Sequence, residues 1–233
     1  MATVDLFNKI VTNTPAVTDL DHIPIIIDNN PRIPSRIDAI LDGTENPLPE
    51  LIRTAQRLEN AGADFIIIPC HTAHVWLHEI QAAIRIPIYS MIENTVSYIE
   101  THYQHLCDRI LLLGTKAMLQ KRMYQNAFEQ RGFKLHVPES IEQDIVSSAI
   151  FEVKGSLIER NFYIVPLNQM LNRYYSSGVT AVLGACTEIP LLFPYLDSKI
   201  EKLDPTLMLA KMAIALALKD KAKAADVIPY TCN

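Results

Sequence analysis

With 233 residues, 49% of them hydrophobic, the chain can bury either one large core or two smaller ones. Its formal net charge of −5 argues against nucleic acid or an anionic membrane as the main partner, and no apolar run reaches the roughly 18 residues of a membrane span. Four cysteines, Cys70, Cys107, Cys186 and Cys232, show neither CxxC spacing nor the density of a disulfide scaffold, and nothing at the start reads as a signal peptide, so free thiols in a reducing cytoplasm are expected.

Taken in order, Met1 to Val11 reads as a helix, with Val4, Phe7, Ile10 and Val11 on one face. Pro24 to Asp28 reads as a strand, and Asn29 to Arg36 as a Pro-stiffened loop at its carboxyl end, where ligands bind in open α/β sheets. Arg32 and Arg36 are the cations there, and a guanidinium fork suits a carboxylate. A helix is expected from about Asn46 to Asn60, stopped by Gly62. Strand Phe65 to Ile68 then leads to Cys70, followed by a helix carrying Trp76, Leu77 and Ile80. Ile86 to Tyr89 is a strand and a helix begins near Glu93. The βαβαβ order implies a parallel sheet with helices on its faces.

The pattern then restarts. Arg109 to Leu113 is a strand, Gly114-Thr115 a turn, and one helix runs through Met118 to Arg131 before Gly132. Phe133 to Val137 is a strand, Ile141 to Lys154 and Pro166 to Ser176 are helices, and Val179 to Leu183 is a strand feeding Cys186. A short strand at Ile200 to Leu203 precedes an apolar helix from Pro205 to about Ala224, and the last residues are expected to fray. The expected domains are residues 1–98 plus 204–233 and residues 99–203.

Two stretches match: Ile66 to His74, containing Cys70-His71-Thr72, and Ala181 to Glu188, containing Cys186-Thr187-Glu188. Gly62 precedes Cys70 by the same eight residues that separate Gly178 from Cys186. An isolated cysteine among apolar residues is ordinarily inert core; a second one at the matching place in a repeat points to function, and Cys107 and Cys232 lack such a partner. Racemising an amino acid without a cofactor requires two acid/base groups flanking the α-carbon, one ionised and one protonated. Thiols suit this, since their ordinary pKa of about 8.5 falls at a helix start, and main-chain N–H groups there can hold the α-carboxylate. A duplicated fold is expected to set the two thiols on opposite sides of one cleft. The second half opens on a strand and a Gly-Thr turn, whereas the first opens directly on its helix. A first domain lacking that strand is expected to be poorly stable, and roughly a dozen residues added before Met1 to raise stability and turnover.

At these residues the chain resembles the aspartate/glutamate racemase family, and most of all its aspartate racemases, over nearly its whole length. The family's Cys-Asn-Thr motif corresponds to Cys70-His71-Thr72, its Gly-Cys-Thr-Glu motif to Ala185-Cys186-Thr187-Glu188, and its Asn-Asn-Pro loop with a substrate-binding arginine to Asn29-Asn30-Pro31 with Arg36. The lysine sharing the side-chain carboxylate corresponds to Lys154 across a one-residue gap. The family's Gly-Gly-Met-Gly-Pro-type loop has no counterpart, and His71 and Ala185 stand where asparagine and glycine are usual. The resemblance implies two similar Rossmann-like α/β domains with the site between them, a homodimer, and interconversion of L- and D-aspartate with neither pyridoxal phosphate nor metal. It makes Cys70 and Cys186 catalytic, and Asn29, Arg36, His71, Thr72, Lys154, Thr187 and Glu188 substrate-binding. Three alternatives stand beside this reading. One is a zinc site of Cys70 with His71, His74 and His78, which lacks a nearby carboxylate or further cysteine. Another is a degenerate member that binds acidic amino acids without turnover, and the third is a glutamate or other acid racemase or isomerase on the same fold. Glu188 either orients groups around Cys186 or caps its helix.

Overall fold

The structure, a computed structural model, describes residues 1–218. Cys232, the expected continuation of the C-terminal helix from residue 219 to about Ala224 and the expected fraying lie outside the described residues. In chain order the helices are α1 (Ala2–Asn13), α2 (Arg36–Leu41), α3 (Leu48–Asn60), α4 (Leu77–Ala82), α5 (Met91–His102), α6 (Lys116–Gln120), α7 (Met123–Glu129), α8 (Ser140–Lys154), α9 (Ile164–Ser176), α10 (Ile189–Leu192) and α11 (Pro205–Ala217). The strands are β1 (Ile66–Ile67), β2 (Ile88–Tyr89), β3 (Ile110–Gly114), β4 (Leu135–His136), β5 (Ala181–Ala185) and β6 (Glu201–Leu203), and every pairing is parallel. This is the α/β class that the alternation of apolar runs and helical periods implies.

Contacts divide the chain into two compact units. The first comprises Thr3–Thr95 and the chain from Leu207. Its sheet has two strands, β1 beside β2. Leu6 and Ile10 of α1 pack with Met91 and with Leu209, Met212 and Ala213 of α11, while Leu51 and Ala55 of α3 pack with Ile66, Leu77, Ile80 and Ile88. The second unit, Val96–Thr206 with Met1–Ala2, has a four-stranded sheet in the order β4-β3-β5-β6. β3 and β5 are buried along their whole length, as strands covered on both faces must be. Leu111, Leu113 and Val182 meet Val146, Ile150 and Val153 of α8 and Leu167, Met170 and Leu171 of α9 in one core.

Three expectations need correction. Residues 24–28 are not a strand: Ile25 packs on the α1/α11 core, but Ile26 and Ile27 remain 47% and 46% exposed. An extended run becomes a strand only when a neighbour satisfies its backbone N–H and C=O groups, and among the described residues no strand pairs with this one. The single helix expected from Met118 to Arg131 is two, α6 and α7, parted where Arg122 adopts a left-handed φ of 51°. The helix expected after Cys70 begins as a 3-10 turn, His71–Trp76, before α4 takes over. Helix α2 was not anticipated; Ser35 caps it by accepting the Asp38 N–H at 3.3 Å, an ordinary N-cap signal.

Candidate active site

The two cysteine turns are built from the same parts. Helices α3 and α9 are both 13 residues long and are offset by the interval that separates Cys70 from Cys186. Both end alike. Gly62 has φ 91° and Gly178 φ 98°, a conformation glycine adopts without penalty. The next N–H reaches back five residues in each case, Ala63 to the Leu58 carbonyl at 3.2 Å and Val179 to the Tyr174 carbonyl at 3.1 Å, as in a Schellman-type helix end. The chain then enters β1 or β5 and delivers its thiol. Cys70, Cys107 and Cys186 are all free.

In the first unit Cys70 is half-buried, extended at φ −157°, with its Sγ 3.5 Å from the Thr72 Oγ1. His71 and Thr72 are buried at the start of the 3-10 turn. Desolvation, with a smaller push from His74, lowers the His71 pKa to about 3, so this imidazole is neutral at physiological pH. Helix α2, which begins with Arg36, packs against the 3-10 turn after Cys70, and Ile33 of the preceding loop packs into the same cluster as Cys70. Arg36 spends one guanidinium nitrogen, Nη1, on its own loop, donating to the carbonyls of Ile33 at 3.2 Å and Pro34 at 3.1 Å. Asn29 is exposed and accepts the Thr3 hydroxyl at 3.0 Å.

His74 is buried and both its nitrogens are engaged. Nδ1 lies 2.9 Å from the Cys70 carbonyl oxygen, and Nε2 accepts the Met91 N–H at 2.9 Å. Burial pushes its pKa down to about 4, against the opposing pull of its backbone bonds. A histidine with both nitrogens so committed is unsuited to hold zinc, and among the described residues no group of three His, Cys, Asp or Glu is placed to hold a metal ion.

In the second unit Cys186 is buried at the end of β5, and its Sγ donates to the Glu188 Oε2 at 2.9 Å. The same carboxylate oxygen accepts the Thr187 hydroxyl at 3.2 Å. Glu188 occupies the N-cap position of α10 but makes no side-chain cap bond, so its carboxylate serves the thiol instead. Burial raises the Cys186 pKa well above the ordinary value; the Glu188 charge and hydrogen bond raise it further, and Lys154 pulls the other way. Cys186 is therefore a protonated thiol at neutral pH. Lys154, exposed at the end of α8, is close enough to act on it electrostatically, and α8 packs against α10. From the sequence His74 enters only as a ligand of the alternative zinc site or as a hydrogen-bonded helix histidine; its link to Met91 carries no signal beyond a histidine four residues past Cys70.

A family model described as Asp/Glu/Hydantoin racemase matches residues 1–213. The chain is 28% identical over 205 residues to the broad specificity amino-acid racemase RacX of Bacillus subtilis, covering 87% of this chain and 86% of that one. A glutamate racemase of Helicobacter pylori is 31% identical over 134 residues, which cover 55% of this chain and only 49% of that protein. Among solved structures, an aspartate racemase of Picrophilus torridus superposes with a TM-score of 0.78 at 26% identity, over 98% of this chain and 91% of that one.

Proposed function

The chain belongs to the Asp/Glu/hydantoin racemase family, and from that premise we propose that this amino-acid racemase interconverts L- and D-aspartate, with Cys70 and Cys186 as its acid/base pair and no cofactor. One observation carries the proposal: the two thiols end equivalent helix–glycine–strand segments, and one of them is held protonated by burial and a carboxylate. A two-base racemase needs such a difference, because one thiolate removes the α-proton while the other group, still protonated, returns one to the opposite face. Here Cys186 enters as the acid. Once it has given up its proton, the thiolate lies buried beside Glu188 and is a strong base, ready for the reverse direction. His71 stays neutral, Thr72 and Thr187 supply hydroxyls, and Asn29 completes the proposed set of substrate contacts.

Aspartate is supported by the cations. Arg36 opens α2, which packs against the Cys70 turn, and among the described residues its bonds use Nη1 and not Nε or Nη2, while Lys154 acts electrostatically at Cys186; two cations suit a substrate with a second carboxylate. The likeness to an aspartate racemase supports the same choice. A homodimer in a reducing cytoplasm is proposed with it, the dimer being measurable by light scattering.

Incubation with L-aspartate, L-glutamate and L-alanine, followed by chiral chromatography with and without EDTA, tests the reading. D-aspartate is expected to form fastest and to be unaffected by EDTA. Equal rates on alanine would instead favour a broad specificity such as the name of RacX states. No product from any of them would leave a protein that only binds acidic amino acids.

A further inference from the structure

The geometry points to His74 as a positioning residue for Cys70, acting through the Cys70 carbonyl and a fixed imidazole tautomer. The deduction rests on donors and acceptors alone. The Met91 N–H can only donate, so Nε2, 2.9 Å away, must carry the lone pair. The ring proton then sits on Nδ1, which faces a group that can only accept, the Cys70 carbonyl at 2.9 Å. One neutral imidazole thus ties the turn leaving β1 to the first residue of α5, which follows β2, the neighbouring strand.

The bond matters to the thiol because of where it acts. The Cys70 carbonyl also accepts the Ala73 N–H at 3.2 Å, closing the first 3-10 turn. Holding that carbonyl from two sides fixes ψ of Cys70 and hence the direction of its Cα–Cβ bond, which aims Sγ beside Thr72. The other thiol has no such device. The residue four past Cys186 is Pro190, which has neither a side-chain donor nor a backbone N–H, and among the described residues the Cys186 carbonyl accepts one backbone N–H, that of Ile189 at 2.9 Å. Cys186 is instead fixed by burial in the core and by Glu188.

This inference rests on Cys70 being an acid/base group, and two substitutions separate it from general destabilisation. His74→Asn places an amide N–H near the Nδ1 position and keeps the bond to Cys70 while losing the Met91 acceptor. His74→Gln places a carbonyl near Nε2 and keeps the Met91 bond while losing the donor to Cys70. Melting temperatures of the two should fall by similar amounts, but His74→Gln should lower kcat by about 10- to 100-fold at little changed KM, with His74→Asn staying close to wild type. Alkylation of Cys70 by iodoacetamide, followed by peptide mass mapping with exposed Cys107 as the internal reference, gives a readout that needs no turnover. It should change in His74→Gln and not in His74→Asn. If both variants lose kcat and shift Cys70 alkylation in step with their melting temperatures, His74 is merely structural and the inference is overturned. If neither differs from wild type, it is overturned as well. A wild-type protein with no racemase activity would sink the functional reading, while the alkylation comparison would still decide the role of His74.

Discussion

Segments 48–70 and 164–186 share helix length, glycine-terminated helix ends and parallel strands, yet the residues just past their cysteines diverge. Two positions beyond Cys70 stands Thr72, a neutral hydroxyl 3.5 Å from the thiol. Two positions beyond Cys186 stands Glu188, a carboxylate 2.9 Å from it. Each sulfur ends the same kind of segment, but the surroundings differ: burial first and the Glu188 carboxylate second raise the Cys186 pKa, while Cys70 is half-buried beside a neutral hydroxyl. A duplicated fold can in this way present two chemically unequal groups of one residue type. Asymmetric protonation is what a two-base reaction requires.

The largest expected effect comes from removing either sulfur. Cys70→Ser and Cys186→Ser should each cut racemisation of aspartate in both directions by about 10²- to 10⁴-fold, the usual worth of a positioned acid or base. If either variant racemises normally, the pairing of the two turns is wrong. Arg36→Lys keeps the charge but loses the fork, so KM for aspartate should rise by about 10- to 100-fold, the equivalent of one charge-assisted hydrogen bond. Alanine turnover, if measurable, should not change; an equal loss there would make Arg36 a loop brace, as its bonds to Ile33 and Pro34 already partly make it.

Exchanging the neighbours sharpens the comparison directly. Glu188→Gln removes a charge that raises the Cys186 pKa, so Cys186 should alkylate several-fold faster near pH 8. Thr72→Glu should slow Cys70 by placing a carboxylate beside it. Unchanged rates would mean that burial alone governs these thiols. A smaller and global effect belongs to the histidines of the first turn. His71 and His74 titrate at about 3 and about 4 when folded but near the ordinary 6.5 when unfolded. Unfolding therefore takes up protons below pH 6.5, and stability present above that pH is lost as the pH falls toward the folded values. Chemical denaturation should show a loss of about 1.4 kcal/mol per pH unit for each histidine between pH 6 and 5, with His74→Gln roughly halving the slope. A flat profile would contradict the buried neutral pair.

The helix–glycine–strand units were legible because each carries strong local signals, an apolar helical face, a glycine forced into the left-handed region and a short run of isoleucines or of Ala, Val and Leu. Residues 24–28 carried the same apolar signal and misled, because strand formation is decided by a partner backbone that local sequence does not contain. The break at Arg122 escaped notice since a left-handed arginine is rare and leaves no compositional mark. The candidate site can be read in the sequence as motifs, Cys70-His71-Thr72 and Cys186-Thr187-Glu188, but not as contacts. That Glu188 bonds the thiol rather than capping α10, and that His74 reaches Met91, depend on side-chain directions and on a strand crossing which spacing cannot convey.

The claim that two unequal thiols act on opposite faces of one carbon is tested most directly by racemising α-protiated L-aspartate in D₂O and reading the α-position by NMR at low conversion. The account predicts that the D-aspartate formed carries solvent deuterium while the remaining L-aspartate keeps its proton, because the proton removed by one thiol is not the one delivered by the other. D-aspartate that retains the original proton would mean a single group returning it to both faces, and would contradict the two-thiol account.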